Sequence, residues 1–236
     1  MNLEQRISIL EKTLLERDYS TIIAISKAVV SQIRNLKSKI LDPDQPTVEL
    51  IELINKPIKY LGVQFGISME FGDFGYNSDY TEVGLHYAQT ESNGDVTLFL
   101  LNDFYDRIDS NNFSYFLDIV ETILIHEYTH VAQLEKARNH FKGVDIESSV
   151  KYLSNIHEIQ AHANQAMSYG LKIGYSIEDL TKLLKNPKNS KVEPQEIDAF
   201  WKYYDIFYGE YGDKKVWDRF LKYCFQYLYQ LESEEE

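Results

Sequence analysis

Apolar residues recur every three or four positions through most of this chain, and the period shortens to two only between residues 63 and 101. Leu3, Ile7, Leu10 and Leu14 mark one helical stripe. Ile22, Ile25, Val29, Ile33, Leu36 and Ile40 mark a second, after a break at Arg17-Asp18-Tyr19-Ser20. The pattern predicts a helical hairpin over residues 3–40 with one apolar seam per helix, and Ser20 is placed to cap the second helix. Asp42-Pro43-Asp44-Gln45-Pro46 interrupts it, since proline removes a helical N–H and biases the preceding residue away from helix. A short helix from Thr47 to Asn55 is expected next, stopped by Pro57.

Val63, Phe65, Ile67, Met69 and Phe71 then alternate with Gln64, Gly66, Ser68 and Glu70, the signature of a half-buried strand. Gly72 to Ser78 reads as a loop. Residues 81–88 predict a second strand with Val83, Leu85 and Tyr87 on one face, and Asn93-Gly94 signals a hairpin turn. Asp95 to Leu101 is the most apolar of the three strands, which predicts an interior place in the sheet. Helical spacing returns after Asp109-Ser110-Asn111-Asn112, which offers N-caps for a long helix over 113–139 packed through Phe116, Leu117, Val120, Ile123 and Leu124. A second long helix is expected over 147–169 with Gly170 ending it. Ser176-Ile177-Glu178-Asp179 is a capping box for a short helix that Asn186-Pro187 closes. Two helices rich in Trp, Tyr and Phe follow, about 195–208 and 213–231.

Composition narrows the function classes. With 236 residues, 44% hydrophobic and 26% charged, the chain can bury a core as one domain of two lobes, or as one domain with a helical extension. A net charge of −13 argues against nucleic acid or an anionic membrane as main partner. The first residues lack the apolar core of a signal peptide and no apolar run is long enough to span a bilayer, so a cytoplasmic location is expected. Cys224 is the only cysteine, which rules out an intramolecular disulfide and a cysteine-based zinc cluster.

The chemistry lies in His126-Glu127-Tyr128-Thr129-His130, an HExxH sequence inside the predicted long helix. Two histidines four apart sit one above the other on a helix face, where their ring nitrogens can reach one zinc ion. Glu127 points to a neighbouring azimuth, where it can act on a water without ligating the metal. Ile123-Leu124-Ile125 before the motif and Val131 after it make the surroundings apolar, and buried polar groups are costly unless paired or metal-bound. A catalytic zinc usually takes a third protein ligand. A histidine close behind is excluded, because Gln133 and Lys136 stand where HExxHxxGxxH needs glycine and histidine. The segment Ser154-Asn155-Ile156-His157-Glu158-Ile159-Gln160-Ala161-His162-Ala163 supplies a glutamate on a later helix. With Asn155 as N-cap, Glu158 also reads as the N3 residue of a capping box.

This order of parts resembles the zincin metallopeptidases, in particular the gluzincin branch, and His126 to Gln133 is similar to the HExxH helices of small bacterial and phage-encoded zincins. The resemblance covers roughly residues 58–170. It departs from the thermolysin-like pattern in the 28-residue step from His130 to Glu158, and in having Ile156 where small relatives often place proline. It implies an α+β, zincin-like fold: a small, twisted, mainly antiparallel sheet packed on the HExxH helix, followed by a helical subdomain. Residues 1–45 would be the N-terminal helical extension and 46–236 the metallopeptidase domain. Within that domain the sheet and active-site helix span 58–140, and the glutamate helix and C-terminal helices 147–232. The resemblance further implies one zinc per chain held by His126, His130 and Glu158, Glu127 as general base, Ala161 allowing close helix approach, and a peptide or protein as substrate. His162, His157 or a tyrosine would stabilise the oxyanion, and His162 is the alternative third ligand. In zincins an edge strand pairs with the extended substrate, here one between Thr81 and Leu101. The alternative from another class is an inactive zincin-like scaffold or interaction protein, either a phage structural or a host-directed one, acting through the N-terminal helices, which could also self-associate. His86 and His140 receive no role.

Overall fold

The computed structural model describes residues 20–42, 58–60, 63–65, 67–72, 83–90, 95–133, 149–210 and 212–234. The first expected helix, the proline linker, the helix at 47–55, the Asn93-Gly94 turn, His140 and the expected continuation of the long helix over 134–139 lie outside them. The fold is α+β, and the described residues fall into two compact units that divide between Val131 and Ala132.

From Thr21 on, the first unit contains helix α1 (Ser20–Asn35) and a further turn, α2 (Lys37–Ile40). Ile22, Ile25, Val29, Ile33 and Ile40 of the predicted stripe are buried, and the Lys37 ammonium lies 5.4 Å from the Phe113 ring centroid. A short antiparallel pair follows, β1 (Ile58–Tyr60) with β2 (Val63–Phe65). The sheet proper has three strands, β3 (Ile67–Gly72), β4 (Leu85–Thr90) and β5 (Val96–Leu101), in the order β3-β5-β4. All six residues of β5 are buried, as expected of a central strand covered on both faces. The Ser68 and Thr97 hydroxyls, opposite each other in the β3–β5 register, are 2.7 Å apart. Helix α3 (Phe104–Arg107) turns the chain into α4 (Phe113–Gln133), which carries the HExxH sequence. An Asx turn precedes α4, in which the Asp109 carboxylate accepts from the Asn111 and Asn112 N–H groups at 2.8 and 2.9 Å.

The second unit is helical: α5 (Ser149–Leu153), α6 (Ile156–Lys172), α7 (Ile177–Lys185), α8 (Asp198–Tyr203) and α9 (Lys214–Glu234). A π-helical segment, Tyr204–Glu210, continues from α8. α9 and α8 pack along α6, and Tyr203 stacks on Phe220 with ring centroids 4.2 Å apart. Among the described residues no helix is long and apolar enough to cross a membrane.

Several expectations need correction. The three-stranded sheet is mixed, because β3 runs parallel to β5 while β4 runs antiparallel to it. Within the expected strand from 63 to 71, residues 63–65 pair with β1 and residues from 67 on with β5. The second strand starts at Leu85 rather than 81, since Val83 and Gly84 form a turn in which Gly84 has φ +72°. A register shift between Leu85 and Tyr87 also breaks the alternation, so that Leu85 is buried while Tyr87 is exposed and stacks on Phe99 at 4.2 Å. The helix expected over 147–169 is broken at Ser154-Asn155, where Asn155 leaves the helix to cap the next one. Gly170 does not end α6 but lies inside it. A Cβ there would come within 2.7 Å of the Leu180 side chain, so the glycine serves close packing of α6 on α7. The helix ends at Lys172, and Gly174, φ +100°, follows the cap residue Ile173. There the N–H groups of Gly174 and Tyr175 return to the carbonyls of Leu171 and Gly170 at 3.2 and 3.1 Å, a Schellman ending.

Candidate metal centre

Every residue of α4 from Ile119 to Gln133 is buried, so the motif sits in a helix covered on all sides rather than on an amphipathic surface helix. The helix handles its small polar side chains locally. Thr122 Oγ1 donates to the Ile119 carbonyl at 2.9 Å, and Thr129 Oγ1 to the Ile125 carbonyl at 2.7 Å. Glu121, His126, Glu127 and His130 also lie in this interior, each with 6–8% of its surface exposed.

The i,i+4 spacing brings the two imidazoles together as predicted. Their ring centroids are 4.7 Å apart with planes at 78°, and His126 Nε2 lies 3.0 Å from His130 Nε2. Nitrogens at that distance either share one proton or direct two lone pairs at a common cation, depending on the tautomer. Glu127 is held from the sheet. Thr90, the last residue of β4, places its Oγ1 2.8 Å from Glu127 Oε2 and 2.9 Å from the Glu127 carbonyl oxygen.

In the second unit the glutamate helix has the expected start. The Asn155 side chain accepts from the His157 N–H at 2.9 Å, which makes Glu158 the third residue of α6, in the favourable field of the helix N-terminus. The capping-box alternative gains little support from the backbone. The Asn155 N–H, the donor that Glu158 would serve in a capping box, already donates to the Tyr152 carbonyl at 3.0 Å. Glu158 is buried, with 8% of its surface exposed. His162, one turn on, is partly buried, with its ring 5.6 Å from that of Tyr203 and 6.3 Å from that of Tyr152. Tyr203 donates its hydroxyl proton to the Leu153 carbonyl at 2.9 Å. Burial first, and then the nearby Glu158 charge, push this hydroxyl's pKa far above that of an ordinary tyrosine.

Two residues with no expected functional role stand beside the motif. Gln133 is buried one turn after His130, and its Nε2 donates to the Gln160 side-chain oxygen at 3.0 Å and to the His157 carbonyl at 3.3 Å. These contacts flank Glu158 on α6. Thr90 is the other. Its hydrogen bond joins residues 37 apart in the chain, and no spacing rule announces such a contact. His157 contributes its backbone to the cap of α6. His86 lies in β4.

Comparisons with family models, with curated proteins and with solved structures returned no match to this chain.

Proposed function

We propose that this chain is a zinc-dependent peptidase, with one zinc ion held by His126, His130 and Glu158 and with Glu127 as general base. The observation that carries the reading is the imidazole pair. Its 3.0 Å Nε2 separation approaches the ~3.3 Å between two nitrogens bound at ~2.05 Å to one tetrahedral ion. Burial is compatible with it, because two imidazoles facing each other inside an apolar helix can share one cation. Glu158 is buried as well. His126, Glu158 and His162 likewise have the residue types and burial of a metal-binding group, which keeps His162 as the alternative ligand. Gln133, which follows His130 by three residues, bonds to the turn of α6 that carries Glu158.

Zinc in this site would supply a lowered pKa for water and a polarised substrate carbonyl. Glu127 takes the proton of the attacking water and delivers it to the leaving nitrogen, a role that contributes about 10²–10⁴-fold. β4 is an edge of the described three-stranded sheet and ends at Thr90 beside Glu127, so an extended peptide pairing with it would approach the base. Tyr203 is engaged with the Leu153 carbonyl, so the candidates for the oxyanion are His162, His157 and another tyrosine.

The test is elemental mass spectrometry of the purified protein beside Glu158→Ala and Glu127→Gln variants, followed by a fluorogenic peptide library. The reading expects one zinc per chain, sharply less in Glu158→Ala, and full zinc with hydrolysis abolished in Glu127→Gln. The 3.0 Å separation also suits an N–H···N hydrogen bond. A protein that takes up no zinc on reconstitution would mark that bond as the whole story, and the chain as a scaffold. Hydrolysis surviving in Glu127→Gln would remove Glu127 from the mechanism.

A further inference from the structure

We propose that Thr90 is the positioning residue for Glu127, locking one carboxylate oxygen so that the other is presented to the water. The inference rests on the peptidase reading above and deepens it. The Thr90 hydroxyl carries one proton and faces two oxygens of the same residue, Oε2 at 2.8 Å and the main-chain carbonyl at 2.9 Å. The carboxylate oxygen is the nearer of the two acceptors, so the proton goes to Oε2. A glutamate side chain otherwise turns freely about its last torsion, which is broad and two-fold. Anchored at Oε2, the group keeps one orientation, and Oε1 is the oxygen assigned to the proton of water.

The anchor comes from the sheet, because Thr90 is the last residue of edge strand β4. A peptide that adds to β4 therefore pairs with the strand that fixes the base. Seating of substrate and alignment of Glu127 become one event, and Thr90 acts on catalysis through Glu127 without touching the reacting atoms.

Acetohydroxamic acid is a probe that reads this alignment without turnover. With zinc held by His126, His130 and Glu158, the oxygens of the hydroxamate would take the place of the water, and its acidic proton would pass to Glu127. Its affinity for the zinc-loaded protein therefore reports where the base carboxylate sits. Calorimetric titration is made on the parent and on Thr90→Val, Thr90→Ser and Glu127→Gln, each with its zinc content and melting temperature recorded. Loss of alignment of a reacting group corresponds to a loss of about tenfold or more. Thr90→Val is expected to keep its zinc and bind the hydroxamate about tenfold more weakly, while Thr90→Ser, which keeps the hydroxyl, stays within about twofold of the parent. Peptide hydrolysis by Thr90→Val should fall in kcat with little change in KM. Should Thr90→Val fail to fold, Thr90→Ala removes the same hydroxyl without adding volume.

Parental affinity in Thr90→Val or Thr90→Ala, with Glu127→Gln weakened, would overturn the role of Thr90 and leave the peptidase reading intact. Glu127→Gln binding like the parent would overturn the base assignment, and a parent that takes up no zinc would overturn both.

Discussion

Adding one methyl group at Gly84 tests how rigidly the sheet is set against α3. Gly84 has φ +72°, in the left-handed region, and a Cβ there would lie 2.8 Å from the Phe104 Cα and 2.8 Å from its Cδ2. The first contact is with backbone, so a rotamer change cannot relieve it. Phe104 is itself buried, with 1% of its surface exposed. The left-handed conformation costs alanine about 1–2 kcal/mol, and overpacking at a site that cannot yield costs about 1–3 kcal/mol. Gly84→Ala should therefore lose roughly 2–5 kcal/mol. Gly174 provides the internal control, since it also has positive φ, at +100°, but nothing lies within 4 Å of an added Cβ. Gly174→Ala should lose only the conformational part, about 1–2 kcal/mol. Urea unfolding of both variants, followed by circular dichroism, measures the difference. A larger loss for Gly84→Ala by about 1–3 kcal/mol is expected. Equal losses would refute the claim that the Phe104 backbone is an immovable neighbour. The site is exposed to the outcome as well: the Gly84 carbonyl accepts from the Leu101 N–H at 2.8 Å, and β4, which delivers Thr90 to Glu127, begins at the next residue.

Two further predictions concern the second unit. Replacing Gln133 by Leu removes both donor contacts to α6 and should weaken zinc binding roughly tenfold, the low end for groups that orient ligands; competition against a chromophoric chelator reads this, and unchanged affinity would dismiss Gln133 as a ligand-aligning residue. Tyr203→Phe leaves the buried Leu153 carbonyl without this donor and should cost about 1–3 kcal/mol at pH 8. The gap should then narrow as pH rises. The folded state holds the Tyr203 proton more tightly than the unfolded state does, so this contribution is complete below a pH of about 10 and is lost above it, in the parent alone. Unfolding free energies between pH 8 and 11 decide the point, and parallel curves would contradict the assigned direction.

What could be read from the sequence was what local chemistry decides. The helix of the HExxH sequence, the pairing of His126 with His130, the cap at Asn155 and the cap at Ser176, whose hydroxyl accepts from the Asp179 N–H at 3.1 Å, all depend on residues within a turn or two of each other. Helical period and capping preference carry that information directly. The errors lie where a residue's conformation is set by a distant part of the chain. Gly170 looked like a helix terminator because glycine commonly is one, but its lack of a side chain serves Leu180 and Ile197 on later segments. Alternation placed Leu85 and Tyr87 on one face, and the register shift between them against β5 separates the two.

The candidate site follows the same division, and this bears on how it should be tested. The residues for which the sequence suggested a chemical role, His126, Glu127, His130 and Glu158, are reactive types at recognisable spacings. Thr90 and Gln133, which hold their neighbours in place, are ordinary polar residues whose partners lie 37, 24 and 27 positions away. A motif thus shows which groups could react, whereas the hydrogen bonds around it decide whether they are aligned to do so. An inactive scaffold that retained HExxH by descent would be under no demand to keep a hydroxyl 2.8 Å from the glutamate oxygen or an amide bonded on both sides of Glu158. The peptidase reading therefore predicts that Thr90→Val and Gln133→Leu disturb the hydroxamate and zinc affinities more than their modest effects on folding would account for. The scaffold reading predicts losses of stability alone.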